Sequence, residues 1–423
     1  MQEDFLHYIW KHKMFHQTDL KTVNQEVIKI NTVGTHNFNA GPDFFNAKLS
    51  IGEQLWAGNV EIHIKSSDWF LHNHEQDKAY DNVILHVVWE HNTEVFRQDN
   101  SVIPTLELKA YIPSEALANY NKLFNANQNW INCETDFAGV DDFTISHWLE
   151  RLYFERLERK SKDVFTLLET SKNNWEAVLF KMLAKSFGLK VNGDAFLSVA
   201  NSFDFTILRK SQSKLNTIEA LLFGQSRLLE ATVEDPYYVT LQNEYQFLKQ
   251  KFSLDNSLVV SPSFFRLRPN NFPTIRLSQL ANVYHNHQNL FSKVIAAPLI
   301  EDIYHLFLVA TSEFWMSHYT FSKTTKTFKK SISKAFINLL IINTIIPVKF
   351  SYAKFQGKSI DADILNIIEQ LPSEKNNIID KFNALKKVST QALQSQALLQ
   401  LKNEYCNKNK CLKCAIGNKL LAN

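Results

Sequence analysis

Cysteine is scarce in this chain: four in 423 residues, too few at this length for a disulfide-stapled secreted scaffold. An excess of charge of one sign is also missing. With 46 Lys and Arg against 43 Asp and Glu the formal net charge is +3, so any basic binding surface has to be local. The start, MQEDFLHYIWKHKMF, lacks the uninterrupted apolar segment of a secretory signal and reads as an amphipathic helix. No apolar run has the roughly 18 residues of a membrane span. The greasiest, AFINLLIINTIIPV from Ala335 to Val348, is broken by Asn338, Asn343 and Pro347 and reads as a buried helix. Convincing repeats and low-complexity segments are lacking too. What remains is the composition of an ordinary soluble globular protein, expected in the cytoplasm and with no membrane partner.

The length predicts two domains with sizeable cores. The first third reads as strands: EVIKINTVG, FFNAKLSIG, GNVEIHIK, NVILHVVWEH and VIPTLELKAYI, separated by turn formers such as Gly52, Gly58 and Asp81-Asn82. That spacing suits a mixed or antiparallel sheet of about five strands with one or two covering helices. From about Asp141 the period changes. In TISHWLERLYFERLERK the apolar residues Ile145, Trp148, Leu149, Leu152, Tyr153 and Leu157 share one helical face. Asn173-Asn174 can cap WEAVLFKMLAKSF and Gly188 can end it. Helical patterns continue over Leu241 to Phe252, Leu277 to His287, Ile300 to Trp315, Ser333 to Ile345, Ala362 to Gln370 and Asn376 to Cys406. The expected class is therefore α+β: a mixed-sheet domain with flanking helices over residues 1–135, then a larger all-α domain over 136–423.

Side chains alternate between the faces of a strand. In GNVEIHIK, Val60, Ile62 and Ile64 fall on one face and Glu61, His63 and Lys65 on the other. By itself this describes a half-buried strand with a solvated polar face. Upstream, Gly41-Pro42-Asp43 sets a carboxylate at a turn just before the FFNAKLSIG strand. Two carboxylates brought close together repel unless a divalent cation lies between them. Such a cation activates water and offsets the charge that builds on a phosphate.

Pro42-Asp43 followed by Glu61 resembles the PD-(D/E)xK nuclease superfamily, in which an Asp opens one strand and (Asp/Glu)-x-Lys lies on its hairpin neighbour. The resemblance implies a restriction-endonuclease-like fold, with Asp43 and Glu61 as ligands of Mg²⁺ or Mn²⁺. Glu61-Ile62-His63 departs from the pattern by placing His where Lys is usual; Lys65, one step on along the same face, could reach back in its stead. A rival, Glu107-Leu108-Lys109, has the usual residue types but is remote from Asp43 in sequence. His72 and His74 fall in a probable loop, and His86 lies inside an apolar run with Ile84 and Val88 on its face. If strands 60–65 and 83–89 are neighbours, His86 comes near Glu61 and Trp69, His72, His74, Asp77 and Tyr80 line the rim. Taken together, GPDF, GNVEIHIKSSDW, YDNVILHVVW, RLRPNNFPTIRLSQLA and YCNKNKCLKCAIG resemble, nearly end to end, a bacterial family catalogued as domain of unknown function 2851. That family implies no activity.

Cys406-x4-Cys411-x2-Cys414 has the short spacing of metal-binding knuckles, with Lys408, Lys410 and Lys413 alongside to favour thiolates. Cys133 is the one cysteine left to complete a set of four around Zn²⁺ or a [4Fe–4S] cluster. The arrangement loosely resembles the iron–sulfur staple of some nucleases of the same superfamily, where the lone cysteine precedes the catalytic motifs instead of following them. Two basic stretches could contact nucleic-acid phosphates. One is RLRPNNFPTIRL, with Arg266, Arg268 and Arg276; the other is SKTTKTFKKSISK, with Lys323, Lys326, Lys330 and Lys334 at helical three- and four-residue steps.

The leading expectation is a metal-dependent phosphodiesterase, a nuclease of DNA with RNA as another possible substrate. In it Asp43 and Glu61 hold the cation, His63 and Lys65 assist the attacking water, and the helical domain clamps the nucleic acid. Two alternatives stand beside it. One is a catalytically inactive nucleic-acid-binding or scaffold protein on the same fold, with His63 marking lost catalysis. The other is a hydrolase holding a transition metal on Glu61, His63, His72, His74 or His86.

Overall fold

The computed structural model describes residues 2–37, 39–125 and 129–422. The chain forms two compact units. The first comprises Met1–Trp148, Lys381–Val388 and Leu399–Asn423, and the second Leu149–Asp380 and Ser389–Leu398.

The first unit is built on a mixed sheet. Helix α1 (Glu3–Lys11) leads into strands β1 (Ile28–Thr32), β2 (Thr35–His36), β3 (Phe44–Ile51), β4 (Gln54–Lys65), β5 (Val83–Glu90) and β6 (Thr105–Glu107). Their order is β1-β3-β4-β5-β6, with β2 beside the start of β3. Strands β1, β3 and β4 pair antiparallel, whereas β4, β5 and β6 run parallel. A parallel step needs a crossover, and residues 66–82 supply one through the short helix α2 (Asp68–Leu71) and two 3₁₀ turns. Phe5, Leu6, Ile9 and Trp10 of α1 pack with Phe44, Leu49, Val60, Ile62, Leu85 and Val87 in one core that also takes in Leu421. Each such buried side chain contributes roughly 1.5–3 kcal/mol.

Glycine at 58 is required by close approach. A Cβ there would stand 2.5 Å from Ile84 Cγ2 and 2.6 Å from the Asn82 carbonyl, so any side chain would push the start of β5 off β4. The expected strand VIPTLELKAYI is shorter than its pattern: Thr105–Glu107 pairs with β5, Val102 makes an isolated bridge to Phe96, and Leu108–Tyr111 turns as a 3₁₀ helix that buries Leu108. β6 has a single partner, β5, and that pairing ends at Val88 and Glu107.

The second unit is helical apart from a small antiparallel hairpin, His318–Thr320 with Lys323–Thr324, so it is not wholly α. Asn174 caps the helix Trp175–Phe187 by accepting from Ala177 N at 3.2 Å, and Gly188 follows its last residue. The expected helix over 300–315 stops at Phe307, and the one over 376–406 is interrupted between Leu385 and Ala392. Lys334–Phe355 is a continuous 22-residue helical run, long and apolar enough by length and composition to cross a membrane; 72% of its most apolar window is buried inside the protein. Lys349 on this run donates to the carbonyls of Val294, Ile295 and Ala297 at 2.9–3.0 Å, which satisfies a helix C-terminus from within the core.

A candidate metal centre on strands β3 and β4

The turn before β3 is held by Asn37, whose side-chain amide donates to the carbonyls of Asn39, Ala40 and Pro42 and whose backbone N–H donates to that of Asp43. Gly41 takes the left-handed φ of 98° that this turn needs. Asp43 is thereby set at the head of β3, beside Glu61 on β4, where Phe44 pairs with Val60. A register shift follows at Phe44/Ala47, with Asn46 at φ 58°, a bulge of the kind that re-aims strand ends. The two acids are locked reciprocally: Glu61 Oε2 accepts from Asp43 N and Asp43 Oδ2 accepts from Ile62 N, each at 3.0 Å.

The polar face of β4 is covered by protein. Glu61 is 5% exposed and His63 1%, because the crossover folds back over them. Ser66 anchors that crossover: its hydroxyl donates to Asn92 Oδ1 and accepts from the N–H groups of Asn92 and Thr93, all at 2.9–3.0 Å. Trp69 and Tyr80 pack with Val83, Val95 and Ile103 in a separate small core. His74 stacks on Tyr80 with centroids 3.8 Å apart. His74 Nε2 reaches Glu61 Oε1 at 3.3 Å, and His63 Nε2 lies 3.6 Å from the same oxygen. His63 Nε2 is also 3.1 Å from Nδ1 of the exposed His72. On its other side, His63 Nδ1 meets His86 Nε2 at 2.8 Å, since Glu61 pairs with the buried His86 across β4 and β5.

Ligand atoms of His63, His72 and His74 all lie within 4.8 Å of one another. A tetrahedral centre with bonds of about 2.0–2.1 Å holds its donors about 3.3 Å apart. Three contacts of 3.1 to 3.6 Å, His72 to His63, His63 to Glu61 and Glu61 to His74, are near that spacing. With a proton on His63 Nδ1 donated to His86, the His63 Nε2 lone pair faces the cluster, the usual arrangement behind a ligating imidazole.

Burial and the neighbouring Asp43 charge raise the Glu61 carboxyl to about 9. Burial and the surrounding imidazoles lower His63 to about 3, and burial also lowers His74 and His86. His63, His74 and His86 are therefore neutral, and none of them offsets the charge of the two crowded acids. The cation nearest Asp43 comes from α1, which composition and spacing did not single out. His7 Nε2 lies 3.2 Å from Asp43 Oδ2 and 3.9 Å from Glu3 Oε1, one turn before it. Burial opposes the His7 charge, but the neighbouring Asp43 carboxylate outweighs it and leaves His7 raised. Glu3 is raised, chiefly by burial. The acid-x3-His spacing of EDFLH on an amphipathic helix was the available signal.

Other candidate residues lie elsewhere. Lys65 is exposed at the end of β4, its backbone N–H bonded to Asp68 Oδ2. Glu107 is two strands from β4, on β6, and accepts from His91 N. All seven basic residues belong to the second unit. Arg266, Arg268, Lys323, Lys326 and Lys334 are exposed. Arg276 is buried, bonded to Asn271 and Gln279 and lying 3.7 Å from the Phe336 ring centre. Lys330 is buried as well and donates to the Trp315 and Met316 carbonyls. The expected helical lysine stripe does not form: Lys323 is in the hairpin, Lys326 in a loop, and only Lys334 opens a helix. Lys330 is needed inside to satisfy carbonyls, and that pins the segment as extended chain.

A family model described as protein of unknown function (DUF2851) matches residues 3–377. The chain belongs to that family. The match takes in the whole acid and histidine cluster of this DUF2851 member and Cys133, and it ends before Cys406, Cys411 and Cys414. No curated protein and no solved structure matches the chain.

Proposed function

We propose that this chain is a metal-dependent phosphodiesterase, a nuclease whose centre is built from Asp43, Glu61 and the histidines beside them. The observation that carries this reading is the reciprocal lock of Asp43 and Glu61 on hairpin neighbours, with Glu61 buried against a like charge. Folding sets two acids together at a cost that a divalent cation would offset. Such a cation supplies a Lewis acid and an activated water to a phosphodiester. The chain's own residues do the rest. Asp43 and Glu61 would hold the cation, His63, steadied by His86, would add a neutral nitrogen, and His7 beside Asp43 would serve as a proton donor.

The histidine content distinguishes this site from an all-oxygen Mg²⁺ site. Imidazole suits Mn²⁺, Fe²⁺ or Zn²⁺ better than Mg²⁺, so activity is expected to be higher with Mn²⁺ than with Mg²⁺. A second reading has a specific observation behind it: the ligand atoms of His63, His72 and His74 lie within 4.8 Å of one another, as a tightly held transition metal in a hydrolase of another substrate class would need.

The test is incubation of single- and double-stranded DNA and of RNA with Mn²⁺, Mg²⁺ or Zn²⁺, using the wild type, Asp43→Ala and Glu61→Ala. Metal-dependent cleavage lost by at least 100-fold in both variants supports the proposal. Cleavage that survives both substitutions, or none with any metal, overturns it. One transition-metal ion retained through dialysis without nucleic-acid cleavage would favour the second reading.

A further inference from the structure

All four cysteines of the chain line one cavity. Cys133 follows the sheet in sequence, whereas Cys406, Cys411 and Cys414 come from the C-terminal segment, and all belong to the first unit. Leu123, Ile131, Phe137, Leu401 and Ile416 complete an apolar lining. From the convergence of these thiols on a dry pocket we propose that Cys133, Cys406, Cys411 and Cys414 hold a [4Fe–4S] cluster. The site shares no residue with the Asp43–Glu61 centre and stands or falls separately from it.

Three features favour a bound metal centre over free thiols, and the first favours a cluster over a single zinc ion. Zinc, with Zn–S bonds of about 2.3 Å in a tetrahedron, draws its thiolates to about 3.8 Å from one another. Among the described residues it is the three histidines that meet within 4.8 Å, and no three of these sulfurs form such a group. A cuboid cluster bonds each cysteine at a different iron, so it holds its ligands spread around a core, as these are spread around a cavity. Second, N–H donors are aimed at the sulfurs. The backbone N–H groups of Ile416 and Gly417 face Cys414, and Asn132 Nδ2 donates to Cys411 Sγ at 3.5 Å. Such donors stabilise sulfur that carries negative charge and tune clusters of this kind. Third, the turn bearing two ligands depends on close backbone packing. A Cβ on Gly417 would stand 2.2 Å from the Cys411 carbonyl, so the helix Ala415–Ala422 can begin against that turn only with glycine there.

The experiment uses the full chain, produced with added iron and purified without oxygen, with iron, acid-labile sulfide and zinc counted per chain. About four iron and four sulfide, with a broad visible absorption that bleaches on reduction, is the expected result. Iron should fall more than five-fold in Cys133→Ser and in Cys411→Ser and persist in a His72→Ala/His74→Ala variant. One zinc per chain, or a metal-free protein whose four thiols all react with a thiol reagent, overturns the proposal. So does iron that follows the histidines and ignores the cysteines. If a cysteine variant fails to fold, the iron-to-sulfide count of the wild type still decides.

Discussion

Glu61 concentrates the competing demands on this molecule at a single residue. Its carboxyl, raised to about 9 by burial and by Asp43, keeps its proton in the folded chain at pH values where the unfolded chain has lost it. The stability this confers is complete below the ordinary carboxyl range and is lost as pH rises through about 9. Metal-free protein is thus expected to unfold at lower urea near pH 8.5 than near pH 5.5, and Glu61→Gln to flatten that slope. The same substitution should abolish the rise in Tm that Mn²⁺ gives the wild type, since it removes a ligand. Much at this scale was legible in the sequence. The turn at Gly41-Pro42-Asp43 and the parity of Glu61 and His63 place them together, and His86 pairs with Glu61 across the two strands, whose adjacency was expected to bring it near, while its contact with His63 was not foreseen. For Glu3 and His7 the sequence offered only their spacing, because their part depends on where α1 docks, which the local pattern of a helix does not encode. The depth of burial was hidden for the same reason: alternation assigns a face, and whether protein or water covers that face is decided by a crossover elsewhere in the chain.

The crossover is the element that turns a strand into a site. It carries Trp69, His72, His74 and Tyr80, and its hold on the sheet rests heavily on Ser66, buried with three hydrogen bonds to Asn92 and Thr93. Replacing Ser66 with Ala leaves two backbone donors without their acceptor, at a cost of about 1–3 kcal/mol. Urea unfolding should register that loss, and Mn²⁺ affinity should weaken several-fold because the loop bearing His72 and His74 loosens. Period and turn chemistry revealed most elements: β3, β4, β5, the capped helix Trp175–Phe187 and the buried run from Lys334 all lie where their patterns put them. Patterns failed where a tertiary partner decides the outcome. Lysines 323 to 334 repeat at helical steps, yet Lys330 is drawn inward to carbonyls and the segment stays extended. VIPTLELKAYI alternates like a strand, yet it pairs with β5 over only three residues.

At the scale of the molecule, each unit has its own dependence on pH. Lys160 in the second unit donates to Asn343 at 3.0 Å, and burial lowers its ammonium to about 7. Below that pH the fold carries the full cost of a desolvated charge, and the cost fades as pH rises from about 7 toward the ordinary lysine value. Lys160→Met is therefore expected to raise Tm by several degrees near pH 6 and by much less near pH 9.5, measured by calorimetry. The first unit owes its order to a different circumstance. Leu421 lies in the same core as Phe5 and Phe44, and the segment that carries it is made after the whole of the second unit. During synthesis the sheet must therefore wait, its core open at one place, while more than two hundred residues are added and fold as a body of their own. An emerging chain exposes apolar surface of the first unit throughout that interval, until after the second unit's residues have been made.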